Sequence, residues 1–296
     1  MDTSIASANP RAFNRAFSIS PHALNLRLGR PDAPLVLDVR REEKFALSPC
    51  VIATAQRCKP DHVAAWAASQ RPREVVVHCV YGHHVSADAV TLLRAAGWSA
   101  CRLDGGIEGG QDGVDTPQRI AQWRAQPAFT LRKRPDWGVT GEYASRWITR
   151  ERPKVDRMAC PWLITRFIDP RAQFFYVPMP QVFAEAQRLD AVAYDIPGAP
   201  VSHVGDLCSF DALLGGFELN HPALDLLARI VRGADTDRLD LAAQSAGLLA
   251  ISLGLSRLHA DDHTMLQAAM PLYDALYAWC CDKVAAQDTS HSWKPQ

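Results

Sequence analysis

The sequence contains no apolar run as long as 18 residues, although 48% of its 296 residues are hydrophobic. A helix needs about 20 mostly apolar residues to cross a bilayer. Residues 1–20 include Asp2, Arg11 and Arg15 and lack the apolar core of a secretory signal. We therefore expect a cytoplasmic protein without a membrane span.

The chain also has no net charge, because 32 basic residues balance 32 acidic ones. Residues 1–150 nevertheless hold 20 Lys and Arg against 14 Asp and Glu, whereas residues 151–296 hold 12 against 18. Domains that bind nucleic acids are strongly basic, so we expect no nucleic-acid partner. The positive excess of the first half could instead steer a small anion towards it.

No two of the eight cysteines are spaced as Cys-x-x-Cys, and their positions do not form a disulfide framework. Thiols of this kind stay free in a reducing compartment. We expect only a few of them to be chemically special.

The most informative stretch that is present is VVVHCVYGHHVS, residues 75–86. A β-branched run predicts a buried strand that ends at Cys79, and a short turn then opens a helix. Unpaired amides and the positive end of the helix dipole favour a thiolate at such a place. Cys79 is therefore the candidate nucleophile. The candidate substrate-binding residues of the turn are Tyr81, Gly82, His83, His84 and Ser86.

Strands and helices alternate in the first half of the chain. The segments 35–40, 75–79 and 100–103 read as strands, with helical patterns between them. Such alternation predicts an α/β fold with a parallel sheet, in which ligands bind beyond the carboxyl ends of the strands. Arg40 and Cys79 are expected to meet at that edge, and Arg40 joins the candidate substrate-binding residues.

Four separated segments resemble the rhodanese-like family. They are Asp38-Val39-Arg40, the loop from Cys79 to Ser86, residues 92–98 (LLRAAGW) and residues 103–108 (LDGGIE). The resemblance covers residues 17–126 and implies an α/β rhodanese-like parallel-sheet domain. It also implies that Cys79 attacks a sulfane-sulfur donor such as thiosulfate, carries a persulfide, and passes the sulfur to a thiol or oxyanion acceptor.

The loop departs from the commonest single-domain form of that family in two ways. One extra residue lies between Cys79 and Ser86, and His83-His84 stand where an arginine often holds the substrate anion. Histidines can still donate hydrogen bonds to an anion, with a charge that depends on pH. A longer loop would also admit a larger oxyanion.

The composition then shifts, and residues 127–145 read as a connector rich in Gly, Pro and basic residues. Residues 146–287 predict a few short strands followed by long helical patterns. We expect a mostly helical α+β domain there, with Pro271 kinking or splitting the last helix.

This second domain resembles the C-terminal domain of ChrB-type chromate resistance proteins. The similar segments are residues 147–150, 152–170, 208–211 and 232–238, together with His203. With a rhodanese-like domain in front, the whole chain resembles the fused sulfurtransferase and chromate resistance proteins. The resemblance implies a link to chromate, which could be bound, sensed or reduced.

Two candidate sites follow from the polar residues of the second domain. His203, Cys208 and Asp211 could give ligands to a divalent, zinc-like ion, with Asp235 or Asp237 completing the set. Lys154 and Arg157 precede a helix and could hold a dianion. For both sites the alternative is a purely structural role, as a packed loop or as a salt-bridged helix start.

Two functions of different kinds remain open. The first is a thiosulfate sulfurtransferase-like enzyme that uses Cys79 and is fused to a chromate resistance domain. The second is a regulator that senses chromate or a metal and uses the rhodanese fold for docking or redox sensing. No cofactor beyond a divalent metal is expected, and the sequence leaves the oligomeric state open.

Overall fold

The structure, a computed structural model, describes residues 17–287, 289 and 290. The chain divides into two compact units, the first of residues up to 28 with 32–130 and the second of residues 29–31 with 131 onwards. The boundary at 130–131 falls within the segment 127–145 that the sequence predicts as a connector. Each unit is described by itself below.

The first unit alternates strands with helices. Its strands are β1 (Ser18–Ile19), β2 (Leu35–Asp38), β3 (Cys50–Ile52), β4 (Gln56–Arg57), β5 (Glu74–His78) and β6 (Ser99–Leu103). Its helices are α1 (Pro21–Asn25), α2 (Glu42–Leu47), α3 (Val63–Ser69), α4 (His84–Ala95) and α5 (Pro117–Ala125).

Five of these strands form one sheet in the order β1-β6-β5-β2-β4, and every pairing is parallel. The central strand β5 pairs Val77 with Leu37 on one side and Val76 with Cys101 on the other. Strands buried on both faces read as unbroken apolar runs, which explains Val75-Val76-Val77. The predicted α/β fold with a parallel sheet is confirmed.

A buried polar network lies where β2 and β5 end. Arg40 Nη2 lies 2.6 Å from Asp38 Oδ2, and both side chains are about 1% exposed. His78, with no exposed surface, places Nε2 3.8 Å from the same carboxylate oxygen. This network lies directly beneath the edge of the sheet at which Cys79 follows β5.

Stability is expected to depend on pH through His78. Burial, with the nearby charges of Arg40 and Arg57, lowers the pKa of His78 to about 4 against the opposing effect of Asp38. An unfolded histidine has a pKa of about 6.5, so below that pH the unfolded chain gains a proton that the folded chain does not take up. The free energy of unfolding should therefore fall by about 3 kcal/mol between pH 7 and 4 from this group.

Urea denaturation across that pH range checks the prediction. The variant His78→Gln has no titrating side chain at this position, so its unfolding free energy should fall less steeply than that of the wild type. Equal slopes for the two proteins would contradict the assignment of this pH dependence to His78.

The second unit is mostly helical, as predicted. The strand β7 (Thr130–Arg132) spans the boundary, and the strands β8 (Arg146–Arg150), β9 (Gln173–Val177) and β10 (Val192–Ala193) follow. The helices are α6 (Asp156–Leu163), α7 (Val182–Leu189), α8 (Ser209–Phe217), α9 (Pro222–Asp235), α10 (Ser245–Leu258) and α11 (Asp262–Val284). The sheet has the order β10-β8-β9 with parallel pairings.

Two features of this unit differ from the sequence-based expectations. Pro271 lies inside α11, which runs unbroken for 23 residues, so the predicted splitting is wrong. Trp137 belongs to the predicted connector, yet it is buried and forms edge contacts with Trp147 and Phe217. Its large apolar surface gains more from packing in the second unit than from solvent. Within the described part of the chain, no helix is both long and apolar enough to cross a membrane.

Candidate functional site

Cys79 follows the central strand β5 and is 5% exposed. Its Sγ lies 3.3 Å from Ser86 Oγ, and Ser86 in turn donates a hydrogen bond to the carbonyl of His83 at 3.0 Å. The first turn of α4 thereby holds the thiol at the carboxyl end of the sheet, where the sequence predicts it.

The loop after Cys79 keeps four amides without a hydrogen bond to any described residue. They belong to Val80, Tyr81, Gly82 and His83, directly before α4 begins. Successive unpaired amides at a helix start form an anion-binding concavity. The loop residues that the sequence predicts are thus brought together around the thiol.

The segment after β6, residues 104–108, packs against the Cys79 loop and forms hydrogen bonds with it. Ile107 donates its amide to the carbonyl of Cys79 at 3.1 Å, and Glu108 donates to that of Val80 at 3.0 Å. Gly106 has φ +59°, and a Cβ there would lie 2.5 Å from the oxygen of Val80 and 2.6 Å from that of Cys79. The loop can approach this closely only because residue 106 has no side chain.

If Cys79 accepts sulfur from thiosulfate, as the sequence analysis expects, Gly106→Ala should displace the Cys79 loop and lower the rate of that transfer at least about tenfold, because a methyl group cannot fit without moving backbone atoms. Gly97→Ala is the matched control, since Gly97 has φ +85° but no atom within 4 Å of its added Cβ. Gly97→Ala introduces the same strain of a positive φ at a residue with a side chain, but no steric clash, so it should leave the rate of sulfur transfer unchanged. Equal rates for the two variants in a thiocyanate assay would contradict the supporting role of Gly106.

A cavity of about 260 Å³ opens over Cys79. Beyond the loop it is lined by Arg40, Arg41, Lys44 and Gln111. Arg41 and Lys44 are exposed and form no ion pair with the described residues. Sequence reasoning missed both cations, although Arg41 directly follows Arg40 at the end of the β2 segment.

Arg40, predicted as a substrate-binding residue, forms its hydrogen bonds within the protein instead. It holds both oxygens of Asp38 and donates to the carbonyl of Cys50 at 3.1 Å. Its side chain is 1% exposed. Arg40 therefore lines the cavity mainly as a buried support, because its Nε and Nη2 are engaged by the Asp38 carboxylate and the Cys50 carbonyl.

The two histidines of the loop have different surroundings. His83 Nε2 lies 2.9 Å from Asp115 Oδ2, which also accepts the amide of Gln111 at 2.8 Å. Burial raises the pKa of Asp115, but these two hydrogen bonds outweigh it and the net shift is downward. His84 is exposed at the first residue of α4 and lines the cavity. Both histidines line the cavity, and within the described part of the chain His84 is the one without a carboxylate partner.

Most of the other thiols are held in apolar surroundings. Burial raises the pKa of Cys58 to about 11 and those of Cys101 and Cys280 to about 12, and it also raises the pKa values of Cys160 and Cys208 well above the usual value of a thiol. These groups remain protonated at neutral pH, which makes them poor nucleophiles.

The second unit gathers three carboxylates around His203. Nε2 of His203 lies 3.1 Å from Asp235 Oδ2, 3.3 Å from Asp195 Oδ1 and 3.5 Å from Asp156 Oδ2. Burial and the carboxylates of Asp195 and Asp235 raise the pKa of Asp156. The hydrogen bond with Asp156 raises the pKa of His203.

The predicted ligand set of His203, Cys208 and Asp211 is not assembled. Among the described residues, ligand atoms that lie within 4.8 Å of one another come from Asp156, Asp195 and His203. Cys208 and Asp211 instead cap α8, where Asp211 Oδ2 accepts the Cys208 amide at 3.1 Å, and Arg232 holds Asp211 at 2.9 Å. Cys208 and Asp211 are thus used in helix capping and in an ion pair with Arg232, and not as ligands beside His203.

The two cations predicted to hold a dianion also lie in different surroundings. Arg157 Nε lies 3.0 Å from Asp195 Oδ2, so an internal carboxylate already faces it. Lys154 is exposed and has no side-chain partner among residues 17–287. The salt-bridge alternative fits Arg157.

Comparison with known proteins agrees with this division. The model of the rhodanese-like domain matches residues 20–112, and that of the ChrB C-terminal domain matches residues 147–280. Protein ChrB of Cupriavidus metallidurans is 33% identical over 138 residues, which are 46% of this chain and 41% of that protein. The match therefore spans less than half the length of this curated relative.

Among solved structures, a rhodanese-like domain protein from Staphylococcus aureus is 26% identical, covering 34% of this chain and 97% of its own, with a TM-score of 0.29. A rhodanese homologue from Thermus thermophilus is 26% identical, covering 31% and 98%, with a TM-score of 0.26. The family matches, together with the parallel sheet and the helical second unit, show that residues 20–112 are similar to the rhodanese-like domain and residues 147–280 to the ChrB C-terminal domain.

Proposed function

We propose that the first unit is a sulfurtransferase in which Cys79 accepts sulfane sulfur from a small anionic donor such as thiosulfate. The observation that carries the proposal is the position of Cys79, at a strand end beside four amides and under a cavity with two cations, Arg41 and Lys44, none of which has a partner among the described residues. This arrangement offers a nucleophile and an anion-binding surface at one place.

The reaction proceeds in two displacements. The Cys79 thiolate attacks the sulfane sulfur of thiosulfate, the S–S bond of the donor breaks, and sulfite leaves with the bonding electron pair. The product is a Cys79 persulfide anion. A thiophilic acceptor then attacks the outer sulfur, and the Cys79 thiolate departs with the electron pair of the S–S bond.

Charge in the cavity supports this chemistry. Arg41 and Lys44 supply positive charge at the mouth, and His84 adds a hydrogen-bond donor. The loop amides remain available to the anionic sulfur at both stages. Reduced cysteines are required throughout, which fits a cytoplasmic setting.

The ChrB domain extends the proposal to chromate resistance, through a thiol or oxyanion acceptor. The alternative is a regulator in which the second unit senses chromate or a metal and the rhodanese fold serves for docking. The carboxylates around His203 favour this alternative, because clustered carboxylates and an imidazole suit a metal-dependent switch.

The test uses the full-length wild-type protein with thiosulfate and cyanide. We expect steady formation of thiocyanate and, when cyanide is omitted, a persulfide on the peptide that contains Cys79, detected by alkylation and mass spectrometry. Absence of both products, in a protein that is folded by circular dichroism, would overturn the enzymatic function.

A further inference from the structure

We propose that Asp156, Asp195, His203 and Asp235 bind a divalent transition-metal ion in the second unit. The inference is independent of sulfur transfer at Cys79, since its residues all belong to the ChrB domain. This ligand set shares His203 and Asp235 with the candidates that the sequence predicts, but it replaces Cys208 and Asp211 by Asp156 and Asp195.

The spacing of the donor atoms is the first argument. An ion bonded to nitrogen and oxygen at about 2.0–2.2 Å has neighbouring ligand atoms about 3.0–3.5 Å apart, for octahedral or tetrahedral arrangements. Nε2 of His203 lies 3.1, 3.3 and 3.5 Å from one oxygen each of Asp235, Asp195 and Asp156. Donor atoms of Asp156, Asp195 and His203 thus lie within 4.8 Å of one another, and Asp235 joins them through its 3.1 Å approach to His203.

An unpaired buried oxygen is the second argument. Asp156 is about 1% exposed on its side chain, and its Oδ1 has no hydrogen-bond partner in the described part of the chain. A buried carboxylate oxygen without a partner is costly, and most such atoms in folded proteins are satisfied. Coordination to a cation would satisfy the carboxylate without a further donor from the protein.

Ser209 and Arg157 form further contacts with the carboxylates of Asp156 and Asp195. Ser209 donates its amide to Asp156 Oδ2 at 3.1 Å and its hydroxyl to Asp195 Oδ1 at 3.0 Å. Arg157 lies against the other oxygen of Asp195. Such outer contacts fix the orientation of metal ligands and are typical of metal centres.

Charge and donor type define the class of ion. Three carboxylates against the one guanidinium of Arg157 leave two negative charges, which a divalent cation neutralises. Oxygen donors with one imidazole suit Mn²⁺, Fe²⁺ or Zn²⁺, whereas Cu⁺ prefers sulfur. His203 is 40% exposed on its side chain, so the ion can enter from solvent.

The test measures metal binding by the full-length protein after treatment with a chelator. Mn²⁺ or Zn²⁺ is added, excess metal is removed on a desalting column, and bound metal is counted by mass spectrometry and titrated by calorimetry. We expect about one ion per chain and a higher melting temperature for the wild type. His203→Ala and Asp195→Asn should each weaken binding at least tenfold.

Two control variants locate the ion at these four residues. Asp206→Asn removes an exposed carboxylate from the loop of His203, and Cys208→Ala removes the thiol that caps α8. Both should bind metal as the wild type does. His203→Gln accompanies His203→Ala to guard against a folding defect, with circular dichroism on each. Failure of the wild type to bind either ion stoichiometrically, or binding by both His203 variants equal to that of the wild type, would overturn the proposal.

Discussion

Replacing Cys79 with serine is expected, under the proposed function, to lower thiocyanate formation from thiosulfate and cyanide on the order of a thousandfold or more, as loss of a nucleophile does in enzymes that use covalent intermediates. A serine hydroxyl does not ionise near neutral pH and cannot carry the sulfane sulfur. The persulfide on the Cys79 peptide should disappear at the same time. The change from sulfur to oxygen is small, and the contact with Ser86 can be retained.

Cys50→Ser is the matched control for this experiment. Cys50 lies in β3 of the same unit and is only partly buried, so its replacement should leave the transfer rate within about twofold of the wild type. Retained turnover in Cys79→Ser together with its loss in Cys50→Ser would show that the nucleophile is misassigned.

The second large effect concerns stability. Arg40→Met is expected to lower the free energy of unfolding by about 3–5 kcal/mol, because it leaves the Asp38 carboxylate buried without its partner. Methionine keeps much of the apolar stem, although it also loses the contact between the guanidinium and the Phe45 ring at 5.2 Å, so the lost charge pair dominates the change. Chemical denaturation at pH 7 measures the effect.

The pair of Arg27 and Glu74 provides the comparison. Its ion-pair distance of 2.6 Å equals that of Arg40 and Asp38, but both side chains are 27% exposed. Arg27→Met should cost no more than about 1 kcal/mol, since water can solvate the remaining carboxylate. A loss in Arg40→Met as small as that in Arg27→Met would contradict the role assigned to burial.

The first unit could be predicted well because its signals are local. Val75-Val76-Val77 predicts a buried strand from residue type alone, and Ser20 before Pro21 predicts the start of α1, where Ser20 Oγ accepts the amide of Ala23. The position of Cys79 follows from these local elements and the parallel sheet. Family resemblance then adds the order of the remaining segments.

The cluster of Asp156, Asp195 and Asp235 around His203 could not be predicted from the spacing of these residues in the sequence. Asp156 begins a helix, Asp195 follows a short strand and Asp235 ends another helix, so only tertiary packing brings them to His203. Local spacing instead favours Cys208 and Asp211, which prove to be helix-capping partners. The same limit applies to His83, whose partner Asp115 lies far along the chain.

The near-complete burial of Cys79 limits the width of any molecule that could collect sulfur from it. A folded protein could not bring a cysteine on a broad surface to a residue that is only 5% exposed beneath a cavity of about 260 Å³. A slender acceptor, such as a small thiol, a free oxyanion or a cysteine near a flexible chain end, could enter. The rhodanese-like unit would thus select its acceptors by size before it selects them by reactivity.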